Sequence, residues 1–288
     1  MARYVSKKGV MWRDNPHFDP TLAEHGLTCV ACHVRNGKIY GPPPGETPPQ
    51  IDRQKPGAHA PAERLAFFES AEFCAECHQF TMKNRAGEKP LQNTYVEWQE
   101  SPYGKAKATC VFCHMPDRRH LWRGIHSADT VGGALGSSTE LTREGEHLVA
   151  RMTLINEGAG HAMPTYVTPR MAAKLAFLND AGIIVATEEY VIQRRVVPGK
   201  PWREISDTRL LPLQAVSFSL RAPARDVVSV RQWVEVEPDF FYVGVFEGLL
   251  TKNLPDEGRR LIEKALAEAR ASPYIVDDET LTVADELQ

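Results

Sequence analysis

A five-residue pattern, Cys-x-x-Cys-His, occurs three times in this chain: Cys29-Val30-Ala31-Cys32-His33, Cys74-Ala75-Glu76-Cys77-His78 and Cys110-Val111-Phe112-Cys113-His114. It takes up all six cysteines of the 288 residues and leaves none for a disulfide. Two thiols three positions apart can each add across one vinyl group of a haem, and the adjacent imidazole then lies beneath the ring as the proximal iron ligand. A zinc ribbon also uses Cys-x-x-Cys pairs, and so does a redox dithiol. Neither explains the His after the second Cys in every copy, and neither needs an odd number of pairs. The spacing therefore predicts three covalently attached haem c groups. Cys29, Cys32, Cys74, Cys77, Cys110 and Cys113 are the attachment points, and His33, His78 and His114 the proximal ligands.

Composition excludes several classes. Hydrophobic residues make up 42% and charged residues 25%, ordinary for a globular protein, and the formal charge is only −3. No basic stripe points to nucleic acid, and no apolar run reaches the roughly 18 residues of a membrane span. Covalent haem attachment takes place outside the cytoplasm, so the periplasm or the cell surface is the expected location. Met1 to Val10 (MARYVSKKGV) lacks the apolar centre of a signal peptide, so the export signal is not visible in this chain.

The chain reads as α+β. A haem-rich, mostly irregular or helical N-terminal domain is expected over residues 1–130, with short helices at Ala62–Ser70 and Asn93–Ser101 and proline-rich loops at residues 41–49. Thr130–Thr139 is small, glycine-rich and uncharged, and 131–141 reads as a linker. Residues 142–247 carry short β-branched or alternating runs, the pattern of an antiparallel β-sandwich, and Phe240-Phe241-Tyr242 is placed in its last strand or edge. Residues 248–288 are expected as a C-terminal helix over Pro255–Arg270, capped by Asn253, followed by an acidic tail docked or loose beyond Ser272. Leu261, Ile262, Ala265, Leu266 and Ala269 form the apolar face of that helix.

Each iron also needs a decision at its sixth position. A second side chain there makes a site that only passes electrons, whereas an open position can bind and reduce a small molecule. Seven histidines lie outside the motifs, and three would complete bis-histidine ligation. The candidates, in order, are His120, His126, His161, His59 and His17; His25 and His147 read as ordinary residues. His120 and His126 follow the third motif closely, His161 ends a glycine-rich loop, and His59 lies in a proline-rich one. Met115 and Met163 read as packing residues rather than thioether ligands. Arg35, Arg118, Arg119, Arg123 and Arg170 are candidates for pairing with haem propionates, against solvated surface charge as the alternative.

The runs Phe73–Phe80 and Asn93–Ser101, and Cys113-His114-Met115-Pro116 with His120 and Gly124, resemble the multihaem cytochrome c superfamily, which includes the cytochrome c-554-like electron carriers, the hydroxylamine oxidoreductase relatives and the pentahaem nitrite reductases. In that group a His after Cys-His-Met-Pro often ligates a neighbouring haem, which implies such a role for His120. The frame Trp-x-x-x-x-His often places a distal ligand, which carries over to Trp12 and His17; Tyr103 stands where a second such His would be. Gly160–Thr165 together with Asp207–Pro212 is similar to the C-terminal β-domain of some multihaem cytochromes. No Cys-x-x-Cys-Lys variant marks a catalytic haem.

Surplus imidazoles favour closed irons, so an electron-transfer protein is expected rather than an enzyme, and no catalytic residue is assigned. The reading is an exported triheme c-type cytochrome passing single electrons between redox protein partners, from a quinol-oxidising membrane complex to a terminal acceptor. The alternatives are a subunit of a haem filament or larger redox complex, homo- or hetero-oligomeric, and a multihaem nitrogen- or sulfur-oxyanion reductase.

Overall fold

The computed structural model describes residues 4–7, 10–25, 27–43 and 63–283. Its fold is α+β, and its contacts divide the chain into two units, Met1–Phe73 and Cys74–Gln288.

The first unit is built from small pieces. Tyr4–Lys7 pairs antiparallel with Val10–Asp14, and Asp19 caps a short helix, Pro20–Glu24, by accepting from the amides of Thr21 and Leu22 at 2.9 and 3.3 Å. Helix α1 (Cys29–His33) holds the first motif and leads into a hairpin, Val34–Arg35 with Lys38–Gly41. Asn36 and Gly37 turn that hairpin at φ 51° and 74°, the left-handed pair that a two-residue turn of matching twist requires. A strand at Glu63–Arg64 runs parallel to Tyr40–Gly41, and a 3-10 turn, Ala66–Glu69, follows. These last two elements occupy the stretch expected as one helix. Leu65 is exposed there, and with few apolar positions to bury the segment lacks the amphipathic stripe a helix needs.

The second unit opens with the helices of the other motifs. Helix α2 (Ala71–His78) ends in the second motif, α3 (Thr94–Glu100) matches the expected helix, and α4 (Cys110–His114) is the third motif. The sandwich then begins. Its strands are β1 (Leu135–Glu144), β2 (His147–Asn156), β3 (Arg170–Leu178), β4 (Ile184–Ile192), β5 (Arg194–Val197), β6 (Arg203–Asp207), β7 (Ala215–Pro223), β8 (Ser229–Glu237) and β9 (Tyr274–Thr282). One sheet is ordered β4-β3-β8-β9 and the other β7-β2-β1, all antiparallel, with β5 and β6 as a separate pair.

Side chains alternate along β2 and β8. Leu148, Ala150, Met152 and Leu154 face inward from one sheet, and Val230, Val234 and Val236 from the other. Strand β3 is buried at Met171–Ala173 and Leu175–Phe177, as a central strand covered on both faces must be. Phe177, Met163 and Leu210 belong to the same core, so Met163 is the packing residue expected of it. A smaller core of Ala86, Leu91, Val167 and Val196, with Phe80, Tyr166 and Trp202 against it, joins residues 80–91 to the sandwich.

Two expectations fail in this unit, and a third is narrowed. The supposed linker 131–141 is the end of a short helix, Ala128–Gly132, followed by most of β1. Leu135 and Leu141 are buried in the core, and cross-strand pairing with β2 outweighs the flexibility of the glycines. Phe240–Tyr242 is not a strand but the start of helix α5 (Phe240–Leu250). Of the two alternatives for the residues beyond Ser272, docked or loose, the structure shows the docked one. Tyr274–Thr282 is β9, which covers the edge of β8 and buries Val276. Helix α6 (Asp256–Ala271) agrees with the expected helix, although Pro255 rather than Asn253 sits at its N-cap and Leu261 of the expected apolar face is exposed.

Candidate functional site

Each motif folds as a single helical stretch, which sets its two sulfurs at i and i+3 on one side and its imidazole at i+4. Every pair has one exposed and one half-buried sulfur. Among the described residues, no three His, Cys, Asp or Glu side chains converge as a closed metal cage, which a zinc ribbon requires. Burial, and then the neighbouring Cys110, push the Cys113 thiol up, opposite to the activated thiol of a redox dithiol.

The imidazoles share a second feature. Nδ1 of His33 lies 2.8 Å from the Tyr40 carbonyl oxygen, Nδ1 of His114 2.7 Å from that of Arg123, and Nδ1 of His161 3.0 Å from that of Ala162. A carbonyl only accepts, so Nδ1 carries the proton in each, and Nε2 is left with the lone pair a metal uses. His78 differs: Nε2 of Gln92 lies 3.0 Å from its Nδ1, and an amide nitrogen only donates, so Nδ1 accepts there. Phe68 braces the ring of His33, 5.1 Å away and 15° from parallel.

His114 and His161 come close to one another. Their ring centres are 6.2 Å apart and their planes 10° from parallel. An imidazole–metal bond is about 2 Å, and the ring nitrogen lies about 1 Å from the ring centre, so one ion between two such rings sets their centres about 6 Å apart. The donor chemistry and the spacing both fit a six-coordinate haem iron. His161 is half-buried, and desolvation lowers its pKa to about 4; the charges of His114, His78 and Arg209 push the same way, against the bond to Ala162. The ring is therefore neutral at pH 7, the form that ligates. Desolvation, and then His114, also lower His78, so His78 and His161 both register the charge of His114.

The loop that presents His161 is fixed at many points. Asn156, fully buried at the end of β2, donates Nδ2 to the His161 and Leu210 carbonyls at 2.9 and 3.0 Å and accepts the Ala159 amide at 3.0 Å. Met163 and Leu210 exchange both backbone hydrogen bonds. A Cβ on Gly160 would come within 3.2 Å of Trp98 and of Tyr103, so glycine lets the loop lie against the segment that leads to the third motif. Trp98 donates Nε1 to the Ala108 carbonyl at 2.7 Å, and the Tyr103 hydroxyl donates to that of Glu157.

The remaining candidates are scattered. His120 is exposed beside Trp122, 5.9 Å between ring centres. His126 is largely exposed and sits 3.1 Å from a carboxylate oxygen of Asp239. His17, in the first unit, is exposed next to the Asn15 turn. His59 lies outside the described residues. Arg170 is engaged by Glu237 and Glu189 on the sheet, because strand register sets those carboxylates beside it. Arg35 donates to the Ala31 and Val34 carbonyls at the end of α1.

Sequence reasoning missed Gln92, Glu97, Arg194 and Arg209. Arg194, 1% exposed, reaches the Glu204 carboxylate and the carbonyls of Ala86, Lys89, Pro90 and Leu91, the strand that carries Gln92 to His78. Only Glu97 left a trace, as a lone acid between Val96 and Trp98.

No family model and no curated protein matches this sequence. Among solved structures, the penta-heme cytochrome c552 from Thermochromatium tepidum is similar in fold, with a TM-score of 0.57 and 18% sequence identity. The likeness covers 77% of this chain and 58% of that one, so this chain spans less than two thirds of the other's length.

Proposed function

We propose that the chain is a multihaem c-type cytochrome of the electron-transfer kind, carrying three covalently attached haem c groups on Cys29/Cys32, Cys74/Cys77 and Cys110/Cys113. His33, His78 and His114 are the proximal ligands, and His161 is the distal ligand on the iron of His114. Residues 1–130 are read as the haem-bearing part and the sandwich as the scaffold that delivers His161. His120 and His17 are retained as ligand candidates for the other two irons. The observation that carries the reading is the near-parallel approach of His114 and His161 at 6.2 Å, each with Nδ1 donated to a backbone carbonyl. The penta-heme neighbour's fold supports it.

A bound haem supplies a one-electron iron couple. The chain's own groups do the rest. The paired sulfurs hold the ring to a helix. The carbonyls of Arg123 and Ala162 fix the tautomers and planes of both imidazoles, so that little has to rearrange when charge changes. Burial keeps His161 neutral and in place. A haem iron held by both His114 and His161 would have no position left for a substrate and would only pass electrons. Export to the periplasm or cell surface and exchange of electrons with protein partners follow from this chemistry.

Protein made in a host that attaches haem c and exports the chain tests the reading. The expected product carries three haems by mass, with low-spin spectra unchanged by carbon monoxide. His161→Ala should turn one haem high-spin and open it to carbon monoxide. A colourless exported product with six titratable thiols overturns the whole reading; three low-spin haems in His161→Ala overturn the ligand assignment alone.

A further inference from the structure

Glu97 is the acid in Tyr95-Val96-Glu97-Trp98, and its side chain is 6% exposed. One carboxylate oxygen accepts the Ala162 amide at 3.2 Å, and the other lies 3.1 Å from Nη2 of Arg209, whose side chain is 2% exposed. Arg209 forks onto Asp207 at 2.8 and 2.9 Å and reaches the Thr165 carbonyl at 3.2 Å with Nη1. Lys89 holds the far side of Asp207 at 2.5 Å. The charges form a chain that starts one residue from His161.

A neutral amide or hydroxyl would also accept the Ala162 amide, more weakly but without the desolvation a buried charge carries, and here Arg209 compensates that charge. Charge matters at this position if something charged lies near it. We infer that Glu97 is the positioning residue of the iron shared by His114 and His161: through the Ala162 amide it fixes how far His161 reaches, and its negative charge holds that iron's reduction potential down. This rests on the ligand assignment made above. A carboxylate close to an iron in a site of low dielectric favours the ferric over the ferrous state, because the ferric state carries one more positive charge. With Glu97 neutralised, the surplus charge of Arg209 acts in the same direction.

Glu97→Gln keeps the size and an acceptor for the Ala162 amide but removes the charge. Spectroelectrochemical titration of the haem-loaded variant should keep three low-spin haems and move one of three steps to higher potential. The expected shift is about tenfold in that reduction equilibrium, roughly 59 mV for one electron. A residue that only props the loop predicts titration curves that superimpose. Glu97→Asp is the complementary variant: it keeps the charge and withdraws it from Ala162, so one haem should acquire carbon monoxide binding. Superimposed curves in Glu97→Gln, or a wild-type spectrum without carbon monoxide binding in Glu97→Asp, overturn the inference. His161→Ala, measured alongside, keeps the two questions apart: if it leaves three low-spin haems, the ligand assignment has failed and not the role of Glu97.

Discussion

In the sandwich, Leu148, Met152, Leu154, Leu175, Phe177, Val230 and Val234 meet between two sheets with 0–1% of their surface exposed. Ahead of Val131, the buried apolar side chains among the described residues are Ala71, Ala86 and Leu91, while Leu27, Val30, Phe67, Phe112 and Trp122 stand exposed. The two regions share one chain and differ in where their apolar surface goes. A segment that buries so little cannot offset the entropy of ordering its backbone, on the order of 1–2 kcal/mol per residue. The contrast teaches that the sandwich is complete in protein alone, whereas the motif-bearing stretch has the apolar surface of a core without the core. Three tetrapyrroles attached at the motifs would supply it.

Withholding haem is the strongest way to break that contrast. Replacement of all six cysteines by serine should leave the motif helices α2 and α4 open to hydrogen exchange at near the unprotected rate, while the strands β2, β3 and β8 stay protected. Equal protection of both stretches would show that the motif region folds on its own, and the comparison would be lost. The converse probe strikes the sandwich. Phe177→Ala removes a fully buried ring and should cost about 3–5 kcal/mol in urea unfolding followed by β-sheet circular dichroism. The haem count by mass should not change, since the sulfur bonds are covalent.

A smaller effect should appear at the seam between the sandwich and residues 85–92. Burial alone would raise the Asp207 carboxyl, but the hydrogen bonds and charges of Arg209 and Lys89 outweigh it and hold it well below the usual carboxylate range. A carboxyl depressed in the folded state contributes fully above its unfolded value near 4 and loses that contribution as the pH falls through it toward the folded value. Stability should fall by on the order of 2 kcal/mol more between pH 5 and pH 2 in the parent than in Asp207→Asn. Matching acid profiles would mean that Asp207 does not couple the two regions.

How much of this was legible in the sequence follows the same contrast. The strand runs within residues 142–247 were visible because alternation at period two records a face packed on a core. The motifs were visible because covalent attachment demands a spacing. Tyr274–Thr282 was not, since its acidic residues look outward from an edge and only Val276 is buried. Helix α5 was not, because Phe240-Phe241-Tyr242 has strand-forming side chains and the turn at Asp239 sets the helix instead. Among the ligand candidates, proximity in sequence put His120 and His126 first. The structure instead brings His161 to His114 across some fifty residues, through a hook at Asn156 that no local pattern announces. Polar partners such as Gln92 and Arg209 are legible only in three dimensions, because each answers a group distant in the chain.

The finest probe compares two glycines of the sandwich. At Gly158 a Cβ would lie 2.8 Å from the Ala134 Cα and 2.9 Å from the Gly133 carbonyl oxygen, both backbone, so Gly158→Ala must displace the start of the His161 loop. Overpacking of this kind costs about 1–3 kcal/mol, and the displacement should register as a high-spin fraction at one haem. Gly145, in the β1–β2 turn, has φ of 61° and nothing within 4 Å of the new Cβ. Gly145→Ala therefore meets only the left-handed backbone penalty, about 1 kcal/mol, and the haem spectra should match the parent's. The urea midpoint measures both costs and the visible spectrum separates them. A spectral change from Gly145→Ala and none from Gly158→Ala would mean that His161 is not held by the packing of its loop, and that the sandwich supports the site by some route other than the one the geometry describes.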